Sequence, residues 1–240
     1  MASALPGATC VGQHSVCIIR AASLNSDCTP VGGVDSGMIT TGIITATATP
    51  ELLDGQTFEQ IDGCGDIAWT YETPARIRKY TLTGELTYFD HEAMSLLFGG
   101  SVIVGGSTSD FVGDSIGWAA PNYTDVAAGT NYVEFITKVT GQGVGDCSVG
   151  GTALPAAVGH IFGKARFTPG DRTFAAEAAT LAFTATNEAN PNLGAGPWQD
   201  YPGVGAMPNS PYFQVSYSEA EYDAIANLAA CGFQTLPTGS

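Results

Sequence analysis

The residues with the clearest catalytic potential lie in the segment Gly113–Gly117 (GDSIG), which matches the G-x-S-x-G pattern around the nucleophile of serine hydrolases. Asp146 and His160 follow Ser115 in the chain order that these hydrolases use for the acid and the base. The pattern needs a buried strand before the serine and a helix after it. The preceding apolar pair is too short for such a strand, and the following Trp-Ala-Ala-Pro run is a poor helix start. A glycine-rich turn is therefore the preferred interpretation.

Metal and cofactor chemistry is not indicated by the remaining polar residues. Cys10, His14, Cys17 and Cys28 are ligand types that zinc accepts, but their spacing fits no familiar zinc motif. The six cysteines are widely scattered without a C-x-x-C pair, so neither a zinc ribbon nor a disulfide scaffold is predicted. We therefore predict no catalytic residue, no metal site and no cofactor.

The composition predicts one mainly β domain. The chain has 240 residues, of which 44% are hydrophobic and 13% charged, a balance that favours an ordered globular protein. The 31 glycines and 13 prolines, together with many threonines and valines, suit short strands joined by turns. We expect a β-sandwich or barrel with a short flanking helix and a C-terminal helix.

The charge balance argues against nucleic-acid binding. There are 23 acidic and 8 basic residues, and a net charge of −15 repels phosphates. Only Arg76, Arg78 and Lys79 form a tight basic cluster. No apolar run approaches the roughly 20 residues that span a bilayer, and no signal peptide is apparent, so we expect a soluble, unexported protein.

Alternating apolar and polar residues predict several strands. The clearest is Arg78–Tyr88, in which Tyr80, Leu82, Leu86 and Tyr88 share one face and Lys79, Thr81, Thr83, Glu85 and Thr87 share the other. Met38–Thr49 is a further strand, which Pro50 is expected to end. The other predicted strands are Asn131–Val139, Gly159–Phe167 and Thr173–Thr186, with the last two forming a hairpin around a turn at Thr168–Asp171.

Two helices are predicted from their capping residues. Asp90 can begin a short helix that Gly99 ends. Ser218 and Glu221 form a capping box before a C-terminal helix over 219–231, which Gly232 is expected to close. We expect irregular structure in the N-terminal arm (1–36), in the acidic loop (50–66) and at the start of the C-terminal extension (187–240), whose first part, 187–211, is rich in Asn, Pro and Gly.

The segment from residue 38 to residue 100 resembles the major tail tube proteins of long, non-contractile-tailed bacteriophages, in particular those that infect actinobacteria. In that family a strand, a long loop, a GCG turn, an alternating strand with an LxGEL-like core and a short helix ending in LL-x-GG follow one another. The matching pieces here are Met38–Thr49, Asp62–Asp66 (DGCGD), Leu82–Leu86 (LTGEL) and Leu96–Gly100 (LLFGG). The segment from residue 38 to residue 100 covers about a quarter of the chain, and the order of these pieces carries the resemblance.

The resemblance implies a structural protein with a single tail-tube domain over residues 1–240. Six copies are expected to close into a ring, and rings to stack into a tube that conducts the genome. Such closure pairs exposed strand edges, and head-to-tail stacking makes an open filament. The implied partners are further copies of the chain, the tape measure protein in the lumen during assembly, the tail tip and terminator proteins, and phage DNA that passes without specific binding. The implied location is the virion tail, assembled in the host bacterial cytoplasm.

The same resemblance implies an interface, because the family's long loop contacts the neighbouring ring. The matching range is Pro50–Asp66, with Phe58 and Ile61 as apolar anchors. The subunit-interface candidates are Glu51, Asp54, Phe58, Glu59, Ile61, Asp62 and Asp66. An acidic lumen lined by the polar strand faces would repel DNA phosphates and let the genome slide.

Three alternatives stay open at this point. A capsid-decorating or other minor virion structural protein would also be β-rich, acidic and free of a catalytic site. A bacterial secretion-system tube protein would share the ring architecture. A serine hydrolase acting through Ser115 predicts a monomer whose esterase activity Ser115→Ala abolishes.

Overall fold

The fold is mainly β. The computed structural model describes residues 13–61, 64, 67–87, 90–108, 110–122, 129–139, 155–174, 179–201, 205–228 and 230–237. The strands in this part of the chain are β1 Gln13–Ser23, β2 Gly33–Thr40, β3 Ile43–Leu53, β4 Thr57–Ile61, β5 Ile67–Glu72, β6 Arg76–Leu86, β7 Ser101–Val104, β8 Ser115–Ala119, β9 Asn131–Val139, β10 Ala157–Phe174, β11 Ala179–Asn187, β12 Phe213–Tyr217 and β13 Ala230–Leu236. The helices are α1 His91–Phe98 and α2 Glu219–Leu228.

Nine strands form one antiparallel sheet in the order β13-β2-β1-β9-β10-β11-β6-β3, with β12 also paired to β10. The 18-residue strand β10 joins the two halves of this sheet. Its first part pairs with β9 and β12, and its second part pairs with β11. Two separate two-stranded ribbons, β4–β5 and β7–β8, complete the strands of the described chain.

One core lies between the two halves of the sheet and against α1. It joins Val133 and Phe162 of one half to Leu82 and Phe183 of the other, so the sheet curls around this shared interior. The buried residues of α1 are Ala93, Met94, Leu96, Leu97 and Phe98. An eight-residue helix is too short to be stable alone, so burial of its large side chains, worth about 1.5–3 kcal/mol each, holds it in place.

A second core covers the opposite face of β1, β9, β10 and β12. There α2 contributes Ile225, and the segment 188–212, which contains no strand or helix among its described residues, contributes Leu193, Tyr201 and Met207. Both the large sheet and the excursion over 187–211 therefore agree with the sequence prediction. The excursion is nevertheless anchored in the interior rather than lying loosely on the surface.

The alternation predicted for Arg78–Tyr88 and both helix starts are confirmed, although β6 spans Arg76–Leu86 and Tyr88 lies outside the described residues. In β6, Leu82 and Leu86 are buried while Thr83 and Glu85 are exposed. Strand β9 has the predicted bounds. The Asp90 carboxylate accepts a 3.1 Å hydrogen bond from the Glu92 N–H at the start of α1, and Gly99 ends that helix with φ 76°. Other parts of the prediction need correction.

The prediction of an irregular N-terminal arm over 1–36 is wrong for its described part. Strand β1 lies in the middle of the sheet, between β2 and β9. Ile18, Ile19, Ala21 and Ala22 are each at most 1% exposed, so both faces of this strand are buried. A strand buried on both faces has no apolar–polar alternation, which is why its pattern was missed.

The predicted strand Met38–Thr49 is two strands. The chain leaves β2 at Thr40 and re-enters the sheet as β3 at its far edge. Pro50 does not end β3, because it lies opposite Tyr80 on an edge strand, where a missing N–H need not disrupt the sheet.

The acidic loop predicted over 50–66 is largely strand. The β3–β6 ladder continues to the pair Leu53–Arg76, and β4 and β5 then form a ribbon of their own. Asp62, Gly63, Gly65 and Asp66, which belong to the turn predicted from the sequence, lie outside the described residues. After GCG the alternating residues Ile67, Trp69 and Tyr71 indicate a strand, whereas Phe58 and Ile61 before it do not alternate, so the sequence gives no clear signal for β4.

Two later boundaries also differ. No turn separates Gly159–Phe167 from Thr173, because β10 runs through Thr168–Asp171 with only a register shift between Pro169 and Arg172. The predicted strand Thr173–Thr186 is therefore wrong at its start, since Thr173 belongs to β10 and β11 begins at Ala179. The C-terminal helix begins with the predicted capping box, in which the Ser218 N–H donates to the Glu221 carboxylate over 2.8 Å. It ends at Leu228 rather than 231, because residues from Ala230 pair with β2 as strand β13.

Candidate assembly surfaces

The predicted interface residues lie on an exposed arm. It comprises the outer ends of β3 and β6 and the β4–β5 ribbon, and every residue of β4 is exposed. Asp54 and Glu59 are exposed, and Glu51 is also exposed and forms a 3.0 Å ion pair with Lys79. Asp62 and Asp66 fall outside the described residues. The structure thus groups five of the seven candidates on one arm.

The two faces of the β4–β5 ribbon have different chemistry. Phe58 lies opposite Tyr71, and Gln60 lies opposite Trp69, so the aromatic side chains share one face. Trp69 and Tyr71 stack with ring centroids 6.0 Å apart. We call this the aromatic face of the ribbon.

The other face of the ribbon is acidic. Thr57 lies opposite Glu72, and Glu59 lies opposite Thr70. Phe58, Trp69 and Tyr71 remain 48%, 54% and 52% exposed, which is unusual for aromatic side chains grouped on one surface. The ribbon therefore presents an uncovered aromatic surface backed by carboxylates.

A second surface is formed by threonines on the outer side of four strands. Thr47, Thr83, Thr184 and Thr168 lie in one row across β3, β6, β11 and β10, and all four are exposed. The row beside it contains Thr49, Thr81, Thr186 and Arg166. We call this surface the threonine face. Its inner side carries the core residues Leu82, Phe183 and Phe167.

Gly84 lies between Leu82 and Leu86 on the inner side of β6. A methyl group there would lie 2.3 Å from the Thr45 carbonyl oxygen and 2.6 Å from the Phe183 ring. The glycine of the LTGEL sequence therefore makes room for an aromatic ring on the neighbouring strand. This supplies a packing reason for one motif position.

Both edges of this four-stranded part are open within the described chain. On one side β3 pairs only with β6. On the other side the pairing of β9 with β10 ends at the pair Asn131–Ala165, so the stretch Arg166–Phe174 pairs only with β11. The backbone groups on these two edges are available to another strand.

A cavity of about 600 Å³ opens beside β3, between the two halves of the sheet. Its apolar walls include Ala46 and Ala48 of β3 together with Tyr80, Phe135 and Phe162. No lining residue is an aspartate, glutamate, lysine or arginine. The cavity therefore favours an uncharged, apolar occupant.

The polar groups in this cavity surround His160. Its Nδ1 atom lies 2.8 Å from the Tyr212 hydroxyl, and its Nε2 atom lies 3.2 Å from the Thr137 hydroxyl. Burial lowers the pKa of His160 below 6.5 and raises the pKa of Tyr212. Both side chains are consequently neutral at pH 7.

A buried ion-pair network fixes the segment 188–212 to the sheet, and no sequence pattern indicated it. The Arg20 Nε–H donates to the Glu134 carboxylate over 2.5 Å, and both side chains are fully buried. Arg20 also donates to the Tyr217 hydroxyl over 2.7 Å and to Asp200 over 3.0 Å. Its guanidinium lies 4.7 Å from the Trp198 ring centroid.

The electrostatics of this network keep Arg20 charged. Burial lowers the pKa of Arg20, but the neighbouring Glu134 carboxylate raises it, and the result lies well above the usual value. For Tyr132 and Tyr201, burial raises the pKa, and the negative charge of Glu134 raises it further. The tyrosine hydroxyls therefore stay protonated and act as hydrogen-bond donors.

The hydrolase hypothesis does not fit the geometry at Ser115. This serine begins strand β8 of an exposed ribbon, and no helix follows it directly in the described chain, so the required strand–turn–helix arrangement is absent there. Its hydroxyl lies 3.4 Å from Nδ1 of His91, not near His160, which lies in the cavity beside β3. Asp146 lies outside the described residues.

The cysteine and histidine residues considered for metal binding form no site that the structure describes. Among the described residues no group of three or more His, Cys, Asp or Glu side chains is placed to hold a metal ion. Cys17 and Cys28 are half-buried, and Cys10 lies outside the described range. In the same described part of the chain, no helix has both the length and the apolar character needed to cross a membrane.

Comparison with known proteins adds no relative. No protein-family model matches the chain, and no curated protein matches it either.

Proposed function

We propose that this chain is the structural subunit of a tube, corresponding to the major tail tube protein of a long, non-contractile-tailed phage. In this proposal the chain forms stacked rings of six copies in the virion tail around a lumen that conducts DNA. The threonine face is the observation that carries the proposal. A sheet surface made of hydroxyls, with few charges, stays hydrated and offers neither apolar patches nor paired cations that would hold a passing polymer.

The two open edges support ring formation. If β3 of one copy pairs with the Arg166–Phe174 stretch of the next, the threonine faces join into one continuous inner wall. Closure of such a ring leaves no exposed edge on that sheet. A decorating protein has no comparable need for two open edges on one polar sheet surface.

In this proposal the surface of the lumen is close to neutral rather than acidic. The threonine rows contain Arg166, and the adjacent row contains Glu85 opposite Thr45 and Ala182, so these rows are close to neutral. Low adhesion would then come from hydrated hydroxyls rather than from strong repulsion. The excess acidic residues lie elsewhere, including the acidic face of the β4–β5 ribbon.

The two ends of the sheet support stacking. The arm with β4 and β5 projects from the end where β6 begins, next to the pair Leu53–Arg76. The β10–β11 hairpin projects beyond the opposite end, past the pair Leu181–Leu86. Because the two ends of the sheet differ, one end of a ring can contact the opposite end of the next ring, as head-to-tail association requires.

Electron microscopy of the purified protein across a concentration series tests the proposal directly. Uniform rings or tubes with a central bore are expected, and a protein that stays monomeric throughout would contradict the proposal. Disulfide trapping then tests the wall. Cysteine at Thr168 is combined in turn with cysteine at Thr45, Thr47 or Thr49, with each single variant as a control.

Within one copy, Thr47 and Thr168 are separated by three strand spacings, about 14 Å, which is too far for a disulfide. Any bond between the introduced cysteines therefore joins two copies. A closed ring gives a ladder of linked chains that stops at six. Absence of linked chains in all three pairings, from preparations that do contain rings, would refute this edge pairing.

A further inference from the structure

We propose that the cavity beside β3 is the receptor for the aromatic face of the β4–β5 ribbon from another copy of this chain. This inference rests on the proposed function, because it names the partner of the exposed arm. It differs from the edge pairing described above, since it joins a ribbon to a cavity rather than one strand edge to another. The contact would run from one ring to the next.

The ribbon cannot occupy the cavity of its own copy in this structure. The β3–β6 ladder continues into the ribbon through the hydrogen bond from the Thr73 N–H to the Gln56 carbonyl, over 2.9 Å. The arm is therefore one extended two-stranded unit that leads away from Ala48. Phe58, Trp69 and Tyr71 are about half exposed at its end, so they are not packed in any cavity.

The aromatic face and the cavity have matching chemistry. Neither the aromatic face, with Phe58, Gln60, Trp69 and Tyr71, nor the lining of the cavity contains an aspartate, glutamate, lysine or arginine. Aromatic rings prefer edge-on or offset contacts with other rings, and the cavity wall offers Phe162. Hydroxyl and imidazole groups around His160 can satisfy the polar atoms of Gln60, Trp69 or Tyr71.

The charges around the two surfaces are complementary as well. Arg76 and Arg78 come four and two residues before the cavity residue Tyr80 on β6, about 7–13 Å along the strand. Among the ion pairs in the described part of the chain, none involves either arginine. The β4–β5 ribbon carries Glu59 and Glu72 and no basic residue, so docking of its aromatic face would bring a net negative charge next to this basic rim, with the carboxylates on the side that faces away from the cavity.

Such a contact is directional. One copy supplies the ribbon and the next supplies the cavity, so every copy has one free ribbon and one free cavity until it joins its neighbours. Repetition of this heterologous contact makes an open stack rather than a closed dimer. When one variant lacks the ribbon surface and the other lacks the cavity, this contact can form once between them but cannot repeat.

Complementation of two variants tests the inference. Ala48→Trp fills the cavity from an exposed strand position and leaves the ribbon intact. The double variant Trp69→Ser, Tyr71→Ser removes the aromatic face and leaves the cavity intact. Sedimentation measures the mass of each protein alone and of an equimolar mixture. Each variant alone should associate at least tenfold more weakly than the wild type through this contact, and the mixture should recover a one-to-one complex.

Matched controls separate docking from general damage. Val34→Trp adds the same side chain at an exposed position of β2, outside both surfaces, and Thr70→Ala alters the opposite face of the ribbon; neither should change the sedimentation mass. Circular dichroism checks that each variant is folded, and Ala46→Leu replaces Ala48→Trp if the larger side chain prevents folding. A mixture that shows no more association than its separate components overturns the inference.

The two proposals can fail separately. If the Ala48→Trp variant and the Trp69→Ser, Tyr71→Ser variant both form rings that stack as the wild type does, the docking inference is overturned and the tube proposal stays intact. A one-to-one complex in the mixture, from a wild-type protein that makes only irregular chains without a bore, would support docking and contradict the tube. A wild type that is monomeric at every concentration contradicts both.

Discussion

The Arg20–Glu134 pair gives the sharpest test of what holds the fold together. Both side chains are fully buried, and the guanidinium is enclosed by Glu134, Tyr217 and Trp198. Removing one charge leaves the other buried without its partner, which typically costs about 3–5 kcal/mol. We therefore expect Arg20→Met and Glu134→Gln each to lower the free energy of unfolding by about that amount.

The double variant Arg20→Met, Glu134→Gln should be more stable than either single variant. It contains no buried charge at this pair, and the amide oxygen of the introduced glutamine can still accept the hydrogen bond that the Tyr217 hydroxyl donates to Glu134 over 2.7 Å. Asp200→Asn is the control, because the Asp200 side chain is 42% exposed and an exposed partner is worth about 0–1 kcal/mol.

Urea unfolding, followed by tryptophan fluorescence and by circular dichroism, measures these differences. The two signals should coincide if the transition is two-state, and the change in midpoint then gives the change in free energy. A double variant whose loss equals the sum of the single losses would refute the reasoning, because two independent contacts, not a coupled pair, would then explain the data.

Three further predictions concern packing, pH and capping. Gly84→Ala should lower the free energy of unfolding by about 1–3 kcal/mol, because the added methyl group overpacks against the Thr45 carbonyl oxygen and the Phe183 ring. Gly106→Ala, whose methyl group would meet nothing within 4 Å, should change it far less, and equal effects in urea unfolding would contradict the packing argument. Because burial lowers the pKa of His160 below 6.5, the unfolded chain binds a proton more readily than the folded chain, so stability should fall as the pH drops below about 6.5. His160→Gln should reduce the fall in melting temperature between about pH 7.5 and 5.5. An unchanged pH dependence in that variant would contradict this prediction. Asp90→Ala should cost about 1 kcal/mol and Asp90→Asn clearly less, as judged from urea midpoints, and equal losses would argue against the cap.

The sequence determined much of the local structure. The alternation in Arg78–Tyr88 assigned the buried and exposed sides of β6, because side chains on a strand point alternately to opposite faces. The capping residues Asp90 and Ser218 located both helix starts, since their side chains bind nearby backbone N–H groups. These signals are short-range, so they can be recognised without knowing the fold.

Tertiary structure decided the features that depend on distant neighbours. Arg20 and Glu134 are 114 positions apart, and only the pairing of β1 with β9 brings them together. The C-terminal helix ends at Leu228 because the residues that follow pair with β2 as β13. Strand β1 is buried on both faces because it lies between β2 and β9 with a core on each side. The threonine rows likewise exist only through the registers of four strands. Periodicity identifies which face a residue takes, but burial and register depend on which strand lies beside it, and that is set by the whole chain.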